Sequence, residues 1–155
     1  MILKLHKFKY KFIFKLMGNS SSSIKNINFE DMQYAINDNT TIIINTLDAS
    51  NQKCLISGTI SIEKEVEFLN AQLSKDKSIR IVIYGMNSCD TSSVKKYEQL
   101  IGIGFYNVYI YSGGLFEWLL LQDIFGRELF STTSTNCDLI KYKGHCQFNI
   151  KLLKN

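Results

Sequence analysis

Two kinds of apolar run alternate along this chain. Thr41-Ile42-Ile43-Ile44-Asn45 is an unbroken β-branched stretch, the composition of a strand covered on both faces. Ile79–Tyr84 repeats that character, and Asn107–Tyr111 is a third strand. Between them the spacing changes to that of helices. In Glu63–Leu73 the residues Val66, Leu69 and Leu73 form one apolar stripe, and Val94, Tyr97, Leu100 and Ile101 line a second helix that stops near Gly102 and Gly104. Leu115–Asp123 predicts a short, very apolar helix. Upstream, Asn28-Phe29-Glu30-Asp31 reads as a helix start, with Asn28 as cap and acids at the positive helix end, and Asn37-Asp38-Asn39 ends that helix. Strand and helix alternate from about residue 24 to 125, which predicts an α/β domain: a parallel sheet with helices on both faces.

A chain of 155 residues is expected to form one such domain with a substantial core. We place it at residues 24–135, after a basic, aromatic leader and Ser-rich linker (1–23) and before a C-terminal tail (136–155). The less patterned stretch from Phe125 to Asn155 either wraps the domain or continues as that tail. Trp118, with Phe116, Leu119, Leu120 and Leu121, reads as core packed against the sheet; any exposed part of that helix becomes a docking surface.

Net charge is +4 but uneven, because Lys4, Lys7, Lys9, Lys11 and Lys15 crowd a leader that contains no acid. The remainder is close to neutral, so no nucleic-acid partner is expected. Heavy use of Lys, Asn and Ile, with no proline at all, reads as an AT-rich genome such as that of a large DNA virus or a protist. The leader has no apolar run approaching the ~20 residues of a membrane-spanning helix. Lysines also interrupt any signal-peptide core. Its Lys/aromatic alternation suits either a strand with one charged face or weak contact with an anionic membrane surface.

Met17-Gly18-Asn19-Ser20-Ser21-Ser22 matches the N-myristoylation pattern M-G-x-x-x-S/T. Gly18 is the lipidation site if translation begins at Met17; otherwise Gly18–Ser23 is a flexible linker. The expected location is cytoplasmic, with membrane association in the first case.

Cys54, Cys89, Cys137 and Cys146 have irregular spacing and include no Cys-x-x-Cys pair, so reduced thiols are expected. Cys137, His145 and Cys146 fit no standard zinc-ligand spacing, and neither a metal nor a cofactor is called for. His6 and His145 lie outside the domain with no serine or carboxylate partner for a triad.

The chemistry of interest lies in the loop after the second long strand: Gly85-Met86-Asn87-Ser88-Cys89-Asp90-Thr91. In open α/β proteins the carboxyl end of a parallel strand is the usual place for a site. Three fragments frame it: Leu55-Ile56-Ser57-Gly58-Thr59-Ile60, Gly104-Phe105-Tyr106-Asn107-Val108-Tyr109, and Gly113-Gly114 with Trp118. In order and motif this pattern resembles the rhodanese-like family, which shows His-Ile-Pro-Gly-Ala, Gly-Phe-x-Asn-Val-Tyr and Gly-Gly-x-x-x-Trp at those places.

The resemblance implies a sulfurtransferase scaffold in which a cysteine at the first loop position carries a persulfide. Here that position reads as Gly85, and the loop is about two residues longer than usual. Asn45-Thr46-Leu47 stands where active members often carry Asp-x-Arg. Cys89 is the one thiol in the loop. Its neighbour Asp90 is expected to raise the thiol pKa and to repel anionic substrates, although loop amides and Lys95 and Lys96 supply some positive potential. Cys89 to Lys95 gives Cys-x5-Lys, whereas the related phosphatases of this fold need an arginine for a bidentate phosphate clamp, so phosphatase chemistry is not expected. Thr91, Ser92 and Ser93 read as helix caps, not nucleophiles.

These residues support two functions. One is a binding or regulatory module, with an unknown protein partner, that lacks standard sulfurtransferase activity. The other is a sulfurtransferase or redox enzyme using Cys89 in a remodelled loop.

Overall fold

The computed structural model describes residues 23–148. The leader, His6 and the Gly18 lipidation motif lie outside the described residues. Four strands, β1 (Asn26–Ile27), β2 (Thr41–Asn45), β3 (Arg80–Tyr84) and β4 (Val108–Tyr111), form one sheet in the order β1-β4-β3-β2. Every pairing is parallel, with Ile42 opposite Ile81 and Tyr84 opposite Tyr111. Among the described residues, α1 (Phe29–Asn37), α2 (Ile62–Lys75) and α3 (Ser92–Gly102) connect successive strands, and α4 (Gly114–Phe125) follows β4.

Strand alternation divides the core in two. Ile43, Val82, Tyr84 and Tyr111 meet α1 and α4 through Met32, Ala35, Leu115 and Trp118. Ile44, Ile81, Ile83 and Ile110 meet α2 and α3 through Leu69, Tyr97 and Leu100. Helices therefore cover both faces, as the continuous β-branched strands require. Asn28 caps α1 as expected: Asp31 N–H donates to Asn28 Oδ1 at 3.0 Å, and Asn28 N–H donates back to Asp31 Oδ2 at 3.4 Å. The α2 stripe is narrower than its spacing predicts. Leu69 is buried, but Val66 is half exposed because it borders an open groove at the sheet edge.

After α4 the chain turns back and builds onto the domain. Ile56 and Thr132 form an antiparallel bridge, flanked by Ser57 N–H to Ser131 O at 3.1 Å and Thr133 N–H to Leu55 O at 2.8 Å. Trp118 is fully buried as expected, and its indole N–H donates to Ser131 O at 3.1 Å. Beyond this ladder the chain reaches a short 3-10 turn, Leu139–Tyr142, which seats the buried Tyr142 in the α1/α4 core.

The expectation of four reduced thiols fails here. Cys54 and Cys137 are disulfide-bonded, with Cα atoms 5.8 Å apart. They are 83 positions apart in sequence, so no spacing rule reveals the pair. The ladder between residues 55–57 and 131–133 brings them together. Among the described residues no helix is long and apolar enough to cross a membrane.

Candidate functional site

Strand β3 ends at Tyr84, and the buried Gly85 opens the loop that leads to α3. This loop is knitted to the one after β4. Leu115 N–H donates to Gly85 O at 3.0 Å, and Phe116 N–H donates to Met86 O at 2.9 Å. Gly114 lies at the crossing with φ +64°, where a Cβ would stand 2.7 Å from Gly85 O and 2.8 Å from Asn87 N. Only glycine meets both the conformation and the closeness. The Gly-Gly pair after β4 thus has a mechanical reason: it lets two loops touch at the carboxyl edge of the sheet.

Asp90 organises the interior of the loop. Its Oδ2 accepts Met86 N–H at 2.9 Å, and its Oδ1 accepts Ser92 N–H at 2.9 Å. Partial burial pushes the carboxyl upward, but the Met86 and Ser92 donors, aided by nearby Lys95, hold it below the ordinary range. A Cβ added to Gly85 would come within 2.5 Å of Asp90 Oδ2 and 3.2 Å of Thr46 Oγ1. The space that a side chain at position 85 would enter is filled by the Asp90 carboxylate.

The remaining loop residues face outward or sideways. Ser88, Cys89 and Thr91 are exposed. Cys89 N–H donates to Asn87 Oδ1 at 2.9 Å, and a Cβ on Gly144 would lie 3.5 Å from the Cys89 sulfur. Asn87 also donates from Nδ2 to Tyr142 O at 2.8 Å, tying the loop to the returning C-terminal segment. Thr46 and Ser92 share a hydroxyl hydrogen bond of 2.6 Å below the loop. Beside them a groove of about 450 Å³ runs between α2 and α3, lined by Thr46, Leu47, Ile62, Val66, Ser92 and Lys95. Lys96 is engaged in an ion pair with Glu65 at its flank.

The capping expectation needs correction in detail. Thr91 occupies the cap position of α3 but makes no side-chain cap hydrogen bond, and the carboxylate of Asp90 does that work instead. Ser93 turns its hydroxyl back to Asp90 O at 3.4 Å. Sequence reasoning placed Asp90 as a neighbour that would disturb Cys89; its role as ligand to the loop amides was missed. An aspartate just ahead of Thr-Ser-Ser at a helix start was the available signal. Tyr142 and Gly144 had none. His145 is exposed, and Cys137, being bridged, is no thiolate ligand. Among the described residues no cluster of three or more His, Cys, Asp or Glu could hold a metal.

Against known families, the model of the rhodanese-like domain matches residues 28–121, spanning β2, β3, β4 and all of α1 to α3. This chain belongs to the rhodanese-like domain family. No curated protein matches it. A solution structure of the rhodanese-like domain of the Alr3790 protein from Anabaena sp. is similar at 19% identity and TM-score 0.50, covering 86% of this chain and 94% of that one. A crystal structure of the Rhodanese_3 like domain of the same Anabaena protein is 28% identical with TM-score 0.40, covering 56% and 94%. Saccharomyces cerevisiae Ygr203w, described as a homolog of single-domain rhodanese and the Cdc25 phosphatase catalytic domain, shares 7% identity with TM-score 0.44, covering 66% and 84%. The Anabaena solution structure supports the fold of this rhodanese-like domain. Within that fold, the loop from Gly85 to Thr91 lies at the carboxyl end of a central parallel strand.

Proposed function

We propose that this rhodanese-like domain is a binding or regulatory module without standard sulfurtransferase activity. One observation carries the reading. A carboxylate of the chain itself, Asp90, takes the Met86 and Ser92 N–H groups and fills the space beside Gly85. A thiol that carries a persulfide needs positive potential around it, from amides and cations, to hold the thiolate and stabilise an anionic leaving group. Here those amides already face a negative charge. Neither Gly85 nor Asn45-Thr46-Leu47 offers a nucleophile or a guanidinium.

The competing reading makes Cys89 the nucleophile of a remodelled loop. Its sulfur lies against Gly144, while the Met86 and Ser92 amides of the loop are engaged by Asp90. A module of this kind would work by presenting the loop and the adjoining groove to an unidentified protein partner.

The deciding measurement is sulfur transfer from thiosulfate to cyanide by the purified protein, beside Cys89→Ser. We expect no turnover above the protein-free rate in either. Turnover that disappears in Cys89→Ser would overturn the proposal.

A further inference from the structure

We propose that the Cys54–Cys137 bridge is a redox-operated clasp: closed, it holds the C-terminal segment across the site loop, and opened by a dithiol it releases that segment while the domain stays folded. The bridge comes late in the order of contacts. The sheet, the four helices and the ladder between 55–57 and 131–133 all precede it along the returning chain. Their hydrogen bonds do not pass through either sulfur. The chain beyond Thr133 is attached differently. Thr135, Asn136, Asp138 and Ile140 are exposed, whereas the bridge at Cys137, the partly buried Leu139 and the buried side chain of Tyr142 bind the segment to the body.

That segment is coupled to the site. Asn87, inside the loop, donates to Tyr142 O at 2.8 Å, and Gly144 stands over the Cys89 sulfur. The clasp and the loop are thus joined by a short stretch of chain, five residues from Cys137 to Tyr142 and two more to Gly144. Opening the bridge removes the one covalent attachment of that stretch and leaves Tyr142, the partly buried Leu139 and the hydrogen bond from Asn87 to hold it. A segment held by so few contacts opens locally at far lower free energy than the core.

The sulfurs differ in access. Cys54 is buried, while Cys137 is only partly so and is the approachable end. A dithiol reductant attacks one sulfur as its thiolate, forming a mixed disulfide and expelling the other cysteine as a thiolate that takes up a proton. The reductant's second thiol then displaces the remaining cysteine, so two electrons pass to the bridge and the reductant leaves as its own disulfide. Reoxidation by a disulfide of the medium reverses the exchange.

The test uses the full chain, Lys141 and Lys143, which flank Tyr142 on the segment, and limited trypsin digestion read by mass spectrometry. Cleavage needs the segment to leave the surface over several residues. With the bridge intact the two sites should be protected. With dithiothreitol, and equally in Cys54→Ser/Cys137→Ser without reductant, cleavage there should rise by about tenfold or more while the sheet and helices stay uncut. Equal cleavage with and without reductant, or no 54–137 linkage in a non-reducing peptide map, would overturn the proposal. Cleavage spreading through the whole domain on reduction would overturn it too, since the bridge would then be a staple for the fold.

Discussion

The carboxylate of Asp90 occupies the place where a side chain at residue 85 would begin, its Oδ2 lying 2.5 Å from the Cβ that Gly85 lacks. The aspartate cannot simply swing aside, because Met86 N–H and Ser92 N–H hold its two oxygens. Gly85→Ala should therefore cost stability, by about 1–3 kcal/mol as for other overpacked sites. In an Asp90→Ala background the same change should cost less, with a coupling of about 0.5 kcal/mol or more between the two positions. Urea denaturation of the four proteins reads this out. Strictly additive losses would mean that the two residues do not compete for one space.

Acid should expose a second carboxylate. Thr41 and Thr40 hydroxyls, the Thr40 N–H and the Arg80 guanidinium together hold Asp38 down from its ordinary 3.8 to about 2. A carboxyl depressed on folding stabilises the native state above its unfolded pKa, and that contribution fades as pH falls through the folded value. The loss from Asp38 thus belongs between about pH 4 and pH 2. Asp90, also held low, should add to the acid-side slope. Thermal melts across that window should show a shallower pH dependence in Asp38→Asn than in the parent chain.

Tyr84 offers a test of the core beneath the loop. Its ring is fully buried at the end of β3, and its hydroxyl accepts Ile56 N–H at 3.1 Å and pairs with Thr59 Oγ1 at 3.0 Å. Burial, ahead of any other influence, pushes its ionisation above the ordinary tyrosine range, so the phenol stays neutral. Tyr84→Phe keeps the ring but strands a buried amide, at an expected cost of about 1–3 kcal/mol. The denaturation midpoint should drop without a change in slope. An unchanged midpoint would show that Ile56 finds another acceptor.

The lipidation motif is tested separately from the fold. In a cell-free system with an N-myristoyltransferase, a chain begun at Met17 should take up a labelled myristate analogue at Gly18, and Gly18→Ala should lose the label. One acyl chain gives only weak, reversible attachment, so vesicle binding should be partial and strengthened by anionic lipid. No label on the chain begun at Met17 would remove the proposal.

Much of the architecture was written in local pattern. The β-branched runs at Ile42–Ile44 and Ile81–Ile83 fall in strands, the capping residue Asn28 caps, and the apolar helix around Trp118 packs where its composition requires. Other features were hidden because they arise only from chain segments meeting in space. The strand Asn26–Ile27 is too short to show a period and exists by pairing with β4. Cys54 and Cys137 meet through a ladder built by residues with no strand signature. At the site, the loop and its glycine were visible in sequence, but the direction of one carboxylate was not. Asp90 reads equally well as a neighbour of Cys89 or as a ligand of the backbone, and only the turn of the chain between Gly85 and Ser92 decides.

The indole of Trp118 is paired with a carbonyl at Ser131, and its ring meets Phe130 edge-on with centroids 4.9 Å apart. Both partners lie beyond residue 121, where the match to the family model stops. A fragment trimmed to that boundary would expose one face of its largest core ring and leave an indole nitrogen without its acceptor. The stretch that the family model matches is thus not self-sufficient in this molecule, and the residues that follow it complete the interior.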